Sequence, residues 1–367
     1  MEAVRREVPA EEQMGTECKV GLTRDFLRED GTLAFDIGLD VLEGHPEVTW
    51  EYLPKNTPEL QSEDVRNYDA LLVLAPRVTA QTLEGADRLV IVARFGVGYD
   101  SVDVAACTRR GVVVTITPDG VRRPVAVSAM TYILALSHKL LIKDRLTRQG
   151  RWAEKLDHMG MGLTGRVLGL IGLGNIGREV CRLARPFDLR IIAHDPYVNR
   201  ETAESVGAEL VGLEDLLRTA DFVCICAALT DESRHLIDTG RLGLMKPTAY
   251  LINVARGPII DQAALAKALQ ERRILGAGLD VFEREPPDPN DPLFGLDNVI
   301  VTPHGICWTD ECFSANGRSA WTSILDVAAG RVPKYVVNRD AVSQPRFQER
   351  LRAYAPGGQK THQLGST

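Results

Sequence analysis

The stretch from Val167 to Asp195 constrains the fold more than any other part of the chain. It begins with an apolar run over 167–171, of the kind that forms a buried parallel strand. The sequence GLGNIG follows directly at 172–177. An amphipathic helical stretch then leads to a second apolar run over 191–193 and to the acidic residue. This order of strand, glycine turn, helix, strand and carboxylate predicts one βαβ unit.

Each glycine of the turn has a steric role. Gly172 allows a tight turn, Gly174 lets a pyrophosphate approach the backbone, and Gly177 lets the helix pack close to the strand. Asn175 and Ile176 stand where the helix begins, and a helix N-terminus offers N–H groups and a partial positive charge to phosphate. The unit therefore predicts dinucleotide binding, and a glycine-rich structural turn is the alternative.

Asp195 indicates which dinucleotide is favoured. It lies 18 residues after Gly177, where a carboxylate can accept hydrogen bonds from the adenosine ribose hydroxyls. The same carboxylate would repel a 2′-phosphate, so the position favours NAD over NADP. Arg200 is close enough in sequence to weaken this argument. NAD is the predicted cofactor.

Composition excludes several classes of protein. A chain of 367 residues is long enough for two domains. A net charge of −7 argues against a nucleic-acid or anionic-membrane surface, and no apolar run reaches membrane-spanning length. The polar, acidic start resembles no signal peptide, so a cytoplasmic protein is expected. The seven cysteines are scattered, and neither a disulfide nor a metal site is expected.

Strand-like runs alternate with helical stretches along the chain, which predicts an α/β fold with parallel sheets. The first half lacks a glycine motif after its opening strand, so it is assigned to the substrate and the second half to the nucleotide. Residues 124–148 read as one long helix that connects the halves, and 309–329 as a helix that crosses back. The expected division is therefore 18–126 with 306–340, then 127–305, with flexible termini at 1–17 and 341–367.

Three charged side chains follow strands of the predicted second sheet, where open α/β sheets place their sites. Arg256 ends LINVARG and can hold a carboxylate through two parallel hydrogen bonds. His304 ends VIVTPH and can exchange a proton near neutral pH. Glu285 lies between them in sequence and would favour the charged histidine. A 2-oxo acid reduced by NADH needs this set.

Each of these residues also has a plain structural interpretation. Arg256 could form a surface salt bridge or cap a helix, and Glu285 could be a solvated carboxylate in a proline-rich loop. His304 could be a satisfied histidine at a strand end. Their joint placement downstream of a nucleotide motif favours the functional interpretation.

The motifs ARFGVGYDSVD, LTGRVLGLIGLGNIG, AHDP, LINVARGPIIDQAAL, GAGLDVFEREPP and VTPH occur in this order. The chain from about 19 to 338 thereby resembles the D-isomer-specific 2-hydroxyacid dehydrogenases, NAD-dependent oxidoreductases that interconvert D-2-hydroxy acids and 2-oxo acids. The resemblance implies a discontinuous, flavodoxin-like substrate domain, an NAD-binding Rossmann domain and a homodimer. It implies that Arg256 binds the substrate, that Glu285 supports the histidine, and that His304 donates and accepts the proton.

The resemblance also assigns the binding residues. The FGVG turn at Gly96, Val97 and Gly98 would bind the substrate carboxylate together with Arg256. The implied cofactor contacts follow the strands of the second domain, and they are Gly172, Gly174, Asn175, Ile176, Gly177, Asp195, Ala228, Val254, Ala255, Asp280 and His304.

Departures from the family pattern leave the substrate open. Val127 stands where many members have an acid, and Trp308 follows the TPH motif. Where many members have a histidine two residues before a proline, this chain has Cys226, Ala227 and Ala228. Arg77 and the pair Arg122-Arg123 could contact a distal anionic group of the substrate or lie on the surface. The other class of function that the residues allow is a regulatory, co-repressor-like protein that senses NAD(H) without turnover.

Overall fold

The computed structural model describes residues 16–355, so the predicted flexibility of 1–15 and 356–367 lies outside the described residues. The chain divides into two compact units, one running to Val121 and resuming at Asp310, the other spanning Arg122–Thr309. These boundaries fall within five residues of the division that the sequence suggests, at 126 and 305.

The first unit is built on a five-stranded parallel sheet. Its strands are β1 Cys18–Leu22, β2 Val48–Tyr52, β3 Ala70–Val73, β4 Ile91–Arg94 and β5 Val113–Thr115. The order β2-β1-β3-β4-β5 is that of flavodoxin-like sheets, so this part of the fold prediction is confirmed. Two short helices, α1 Ser62–Val65 and α2 Val104–Arg109, lie between these strands in sequence.

Two helices follow the first sheet where one long helix, 124–148, is predicted. The structure has α3 Pro118–Ser137 and α4 Leu140–Arg148, bent by 56° relative to one another. The prediction of one helix is wrong because Lys139 between them has a left-handed backbone with φ 51°. Among the described residues no single helix is long and apolar enough to span a membrane; these two pass that test only as a bent pair.

The second unit contains a seven-stranded parallel sheet. Its strands are β6 Val167–Ile171, β7 Arg190–His194, β8 Ala208–Leu210, β9 Phe222–Ile225, β10 Tyr250–Asn253, β11 Gly276–Leu279 and β12 Val299–Val301. The order β12-β11-β10-β9-β6-β7-β8 is the Rossmann order with one more strand at the β11 edge. The strand order therefore reverses between β6 and β9, the place where such sheets bind ligands.

Helices connect the strands of the second sheet, as parallel pairing requires. They are α5 Asn175–Ala184, α6 Arg200–Ser205, α7 Leu213–Thr219, α8 Thr239–Leu242 and α9 Gln262–Gln270. Asp261 caps α9, because its carboxylate accepts a hydrogen bond from the Ala264 N–H at 2.9 Å. Short 3₁₀ helices occupy Arg24–Phe26, Leu39–Leu42, Trp152–His158, Arg185–Phe187, Gly257–Ile259 and Pro292–Gly295.

The chain then returns to the first unit through α10 Asp310–Ala328, α11 Arg339–Val342 and α12 Pro345–Arg352. On α10, Trp321 is fully buried and donates its indole N–H to the Ile37 carbonyl at 3.1 Å. On α12, Phe347 and Leu351 are buried in the same core as β1. The expectation of a flexible tail is therefore wrong for 341–355, because its few apolar side chains complete the core of the first sheet.

The cysteines are free thiols. The sulfur atoms of Cys224 on β9 and Cys226 just after it are 3.8 Å apart. The hydrogen bond between the two thiols and the burial of Cys224 raise the pKa of Cys224 well above its usual value.

Candidate active site

The glycine turn between β6 and α5 has the geometry that its sequence predicts. Gly172 has φ 95°, and a Cβ there would lie 2.7 Å from the Ala227 nitrogen. A Cβ on Gly177 would lie 2.3 Å from the Gly172 carbonyl oxygen, so helix and turn pack too closely for a side chain. A Cβ on Gly174 would meet no atom within 4 Å. The turn is thus tight on its protein side and open at its middle glycine, which fits the approach of a pyrophosphate.

Asp195 follows β7 and lies against this turn. Its Oδ2 accepts the Leu173 N–H at 2.8 Å, and its Oδ1 accepts the Tyr197 N–H at 2.9 Å. These bonds hold the carboxylate beside the glycine turn, where an adenosine ribose would lie in a Rossmann site. Each oxygen has a further lone pair for a hydroxyl donor.

The next residues predicted to contact the cofactor follow β9 and β10. These strands continue the sheet from β6 on the side opposite β7. Ala228 comes after β9 and accepts a hydrogen bond from the Ser233 hydroxyl at 2.8 Å. Val254 and Ala255 follow β10, and the Ala255 N–H binds the Asn253 side-chain oxygen at 3.0 Å. The structure therefore places all three at the carboxyl edge of the sheet, the same edge as the glycine turn.

Asn253 is a residue of the site that the sequence analysis did not single out. It is fully buried at the end of β10, and its side-chain amide donates to the Arg256 carbonyl at 2.9 Å. Together with its bond to Ala255, this contact shapes the turn that carries the arginine. The asparagine of the motif NVARG was the available signal.

Arg256 is half-buried at the end of this turn. Its Nη1 donates to the Ala255 carbonyl at 2.7 Å, which orients the guanidinium. Its positive charge also acts on Glu285, so the two side chains belong to one electrostatic cluster.

Glu285 and His304 form a direct pair. Glu285 Oε2 lies 2.7 Å from His304 Nδ1, and Glu285 Oε1 accepts the Phe282 N–H at 3.0 Å. Burial raises the pKa of Glu285, but the hydrogen bond and charge of His304, the Phe282 N–H and the Arg256 charge together bring it below its ordinary value. The carboxylate is thus held ionised against the imidazole.

Asp280 supports the turn that carries His304. Its Oδ1 accepts the Thr302 hydroxyl at 2.5 Å, the Gly305 N–H at 3.0 Å and the Ile306 N–H at 3.1 Å. Its carbonyl accepts the His304 N–H at 2.7 Å. Burial raises the pKa of Asp280, and the hydrogen bonds only partly offset this effect. The carboxylate therefore fixes the backbone of this turn.

His304 itself has a left-handed backbone, with φ 52°. Such a conformation is uncommon for a residue other than glycine and occurs where the surroundings impose it. Here the bonds to Asp280 impose it, and they direct the imidazole towards Glu285. Thr302 is a further residue that the sequence analysis missed; its hydroxyl also lies 2.5 Å from the Tyr132 hydroxyl on α3.

The FGVG turn belongs to the first unit, where it follows β4. Gly96 has φ 127°, which favours glycine, and its N–H donates to the Thr117 hydroxyl at 2.8 Å. Its carbonyl accepts the Thr117 N–H at 2.9 Å. Gly96, Val97 and Gly98 therefore form an anchored turn at the carboxyl edge of the first sheet.

The remaining arginines of the sequence analysis differ in their surroundings. Arg123 forms an ion pair with Glu179 at 3.2 Å, which favours the surface alternative for this residue. Arg77 is exposed at the carboxyl side of β3. Trp308 is 49% exposed in the segment after His304. Between residues 16 and 355, no three His, Cys, Asp or Glu side chains are arranged to hold a metal ion.

Comparison with known proteins agrees with this architecture. Residues 130–305 match the family described as "D-isomer specific 2-hydroxyacid dehydrogenase, NAD binding domain". The glyoxylate reductases of Thermococcus onnurineus and Thermococcus gammatolerans are 38% and 41% identical to the chain, each over 85% of it and 96% of the relative. The crystal structure of the TT0316 protein from Thermus thermophilus is 30% identical, with a TM-score of 0.76, over 87% of this chain and 99% of that chain.

The matching family segment contains the glycine turn, Asp195, Arg256, Asp280, Glu285 and His304. The resemblance drawn from the motifs is thereby confirmed, and so is NAD as cofactor. The chain belongs to the D-isomer-specific 2-hydroxyacid dehydrogenases, the NAD-dependent enzymes that interconvert D-2-hydroxy acids and 2-oxo acids.

Proposed function

We propose that this enzyme reduces glyoxylate, or a 2-oxo acid of similar size, to the corresponding 2-hydroxy acid. The observation that carries the proposal is the 2.7 Å pair of Glu285 and His304 beside the charge of Arg256. The names of the relatives, glyoxylate reductases of 38% and 41% identity, support the size of the substrate.

His304 is proposed to donate the proton to the substrate carbonyl oxygen during reduction. Its Nδ1 is engaged by Glu285, so Nε2 is the nitrogen left to face the substrate. The ionised Glu285 stabilises the imidazolium that must exist before the transfer. In the oxidative direction the neutral imidazole would accept the hydroxyl proton through the same nitrogen.

Arg256 is proposed to bind the substrate carboxylate. A guanidinium presents two parallel N–H donors that match a carboxylate, and the bond of Arg256 to Ala255 orients this group in advance. The backbone N–H groups of Val97 and Gly98 are proposed to share the carboxylate. Together with the imidazole at the carbonyl oxygen, these contacts would present one face of C2 to the hydride, which would make the reduction of 2-oxo acids larger than glyoxylate stereoselective.

The cofactor is proposed to lie along the carboxyl edge of the second sheet. The glycine turn would hold its pyrophosphate, Asp195 its adenosine ribose, and Asp280 its nicotinamide carboxamide. Ala228, Val254 and Ala255 would form the apolar wall along the dinucleotide. When bound, NADH supplies the hydride that C2 of the substrate accepts.

The test is NADH oxidation, followed by near-ultraviolet absorbance, with glyoxylate, hydroxypyruvate, pyruvate, 2-oxoglutarate and phenylpyruvate. Glyoxylate or hydroxypyruvate is expected to be turned over fastest. His304→Gln should lose turnover yet bind NADH normally, and Arg256→Ala should lose roughly 100-fold or more in kcat/KM. Intact NADH binding without turnover of any acid would refute the proposal and favour the regulatory alternative.

A homodimer formed through the second unit is also proposed. Large apolar side chains stand exposed within 140–159, namely Leu140, Leu141, Trp152, Leu156 and Met159, with Leu156 75% exposed. Several large exposed apolar side chains within one short segment are typical of an interaction surface. Sedimentation should give a dimer, and Leu156→Glu with Trp152→Glu should give monomers; a monomeric wild type would refute this.

The cytoplasm is the proposed compartment. Free thiols at all seven cysteines suit a reducing environment. Fractionation of the source cells would test the assignment, and recovery outside the cytosol would overturn it.

A further inference from the structure

A second histidine–glutamate pair lies in the same unit as the proposed catalytic pair. His235 Nε2 and Glu283 Oε1 are 2.7 Å apart, although the residues are 48 positions apart in sequence. Both side chains are partly exposed, at 44% and 37%. Glu283 stands two residues before Glu285, so this contact acts on the segment that carries the partner of His304.

The backbone that follows Arg256 lies between the two members of this pair. On one side, the His235 N–H donates to the Pro258 carbonyl at 2.8 Å. On the other, a Cβ on Gly257 would lie 1.9 Å from the Phe282 carbonyl carbon and oxygen, so the two backbones are in direct contact. The side-chain pair therefore spans the Gly257-Pro258 segment and links the two backbone stretches that contact it, at His235 and at Phe282.

Glu283 has further contacts that hold the loop. Its Oε2 accepts the Gln262 N–H at 3.2 Å, and its own N–H donates to the Gln262 side-chain oxygen at 2.8 Å. Gln262 is the first residue of α9, so the loop is attached to the start of a helix. The Phe282 N–H also binds Glu285, so the loop from 282 to 285 is held both internally and to α9.

The left-handed backbone conformation of His235 allows it to make both of its contacts. Its φ is 49°, in the left-handed region that histidine and asparagine tolerate better than most residues. The conformation lets one residue use its N–H on Pro258 and its ring on Glu283.

We propose that His235 and Glu283 are a positioning pair that keeps the Arg256 turn and the Glu285 loop at a fixed separation. Arg256, which is proposed to bind the substrate carboxylate, and His304, the proposed proton donor, then face the same C2 atom with little conformational freedom. This inference rests on the proposed roles of Arg256, Glu285 and His304. Without the pair, both the carboxylate contact and the support of the imidazole loosen, while the glycine turn on β6 is unaffected.

The test compares Glu283→Ala, Glu283→Gln and His235→Asn with the wild-type enzyme. Glu283→Ala and His235→Asn should lower kcat/KM for the 2-oxo acid about tenfold, through both a higher KM and a lower kcat. Glu283→Gln keeps an oxygen that accepts the imidazole N–H and should stay within about threefold of wild type. The dissociation constant of NADH and the Tm should change little in all three.

His45→Asn is the matched control. It breaks a histidine–glutamate pair in the first unit, with Glu47 at 2.9 Å and side chains 43% and 31% exposed. Its kinetics should equal those of wild type. Equal kinetics for Glu283→Ala would overturn the inference, and so would a loss of NADH affinity parallel to the loss of kcat/KM, since that would indicate general disruption.

Hydrogen exchange of the cofactor-free protein separates this inference from the proposed function. In Glu283→Ala the amides of residues 282–285 and the His235 amide should exchange faster, while those of β6 stay protected. This result is expected whether or not glyoxylate is the substrate. Unchanged exchange would refute the positioning role even if the wild-type enzyme is active; loss of turnover on every acid, with exchange altered as expected, would refute only the proposed function.

Discussion

Replacing Glu285 by glutamine removes one charge from the proposed proton-transfer pair and leaves the shape of the site unchanged. The glutamine oxygen can still accept the Phe282 N–H or the His304 Nδ1–H, both of which lie within 3.0 Å of the carboxylate. What is lost is the attraction between a carboxylate and an imidazolium, together with one of the two hydrogen bonds, because the amide group has a single acceptor oxygen. The dependence of the effect on pH therefore reports the electrostatic part of the interaction.

The magnitude follows from the kind of bond and from its exposure. A hydrogen bond to a charged group is worth about 1–1.5 kcal/mol more than a neutral one. The side chains of His304 and Glu285 are 45% and 37% exposed, so solvent screens part of this difference. About 1 kcal/mol remains, which corresponds to roughly fivefold in an equilibrium constant.

Reduction needs the imidazolium, so weaker support for it moves the alkaline limb of the kcat/KM profile to lower pH. Above that limb the variant should be about fivefold slower than wild type, and below it the two should agree. The assay is glyoxylate-dependent NADH oxidation over a series of buffers. Glu47→Gln, at the pair with His45, serves as control and should not move the limb. Superimposable profiles for Glu285→Gln and wild type would refute the electrostatic role of this carboxylate.

Three further predictions concern stability. Asp280→Ala leaves three partly buried donors without an acceptor and should cost about 2–4 kcal/mol in urea unfolding. Asp280→Asn keeps an acceptor and removes a carboxylate whose pKa is raised by burial, so it should be at least as stable as wild type at neutral pH. Gly257→Ala places a methyl group 1.9 Å from the Phe282 backbone and should cost about 3 kcal/mol, while Gly295→Ala, with open space around it, should cost under about 1 kcal/mol. The pKa of Glu285 is lowered in the folded state from its ordinary 4.5, so its ionised form adds stability that is complete above that pH and is lost below it. On acidification the free energy of unfolding of wild type should therefore fall more steeply than that of Glu285→Gln. Equal slopes for the two proteins would contradict this.

The strands were predictable because parallel strands that are buried on both faces have continuous apolar sequences. The positions at which the strands end were harder to predict. The apolar run 222–229 suggests a strand twice as long as the observed Phe222–Ile225. Ala227 and Ala228 are apolar for another reason, since they leave the sheet at the edge where Gly172 packs against the Ala227 backbone. An apolar residue in such a run therefore belongs either to the strand core or, as proposed for Ala228, to a wall beside the cofactor.

The proposed catalytic residues were recognisable because each follows a strand within a short motif. The supporting residues were not. His235 and Glu283 meet only through the fold, and neither forms a local pattern that would predict a contact across 48 positions.

The helix α12 was missed for a different reason. Its apolar residues Phe347 and Leu351 are four apart, a helical spacing, but they are outnumbered by charged neighbours.

The return of the chain through α10 and α12 has a consequence for the order in which the protein is completed during synthesis. Residues 122–309 leave the ribosome as one uninterrupted stretch that contains the whole second unit. The first sheet emerges earlier, but the core around β1 lacks Trp321 and Phe347 until nearly the whole described chain has been made. The unit that begins first in the sequence therefore closes its core last.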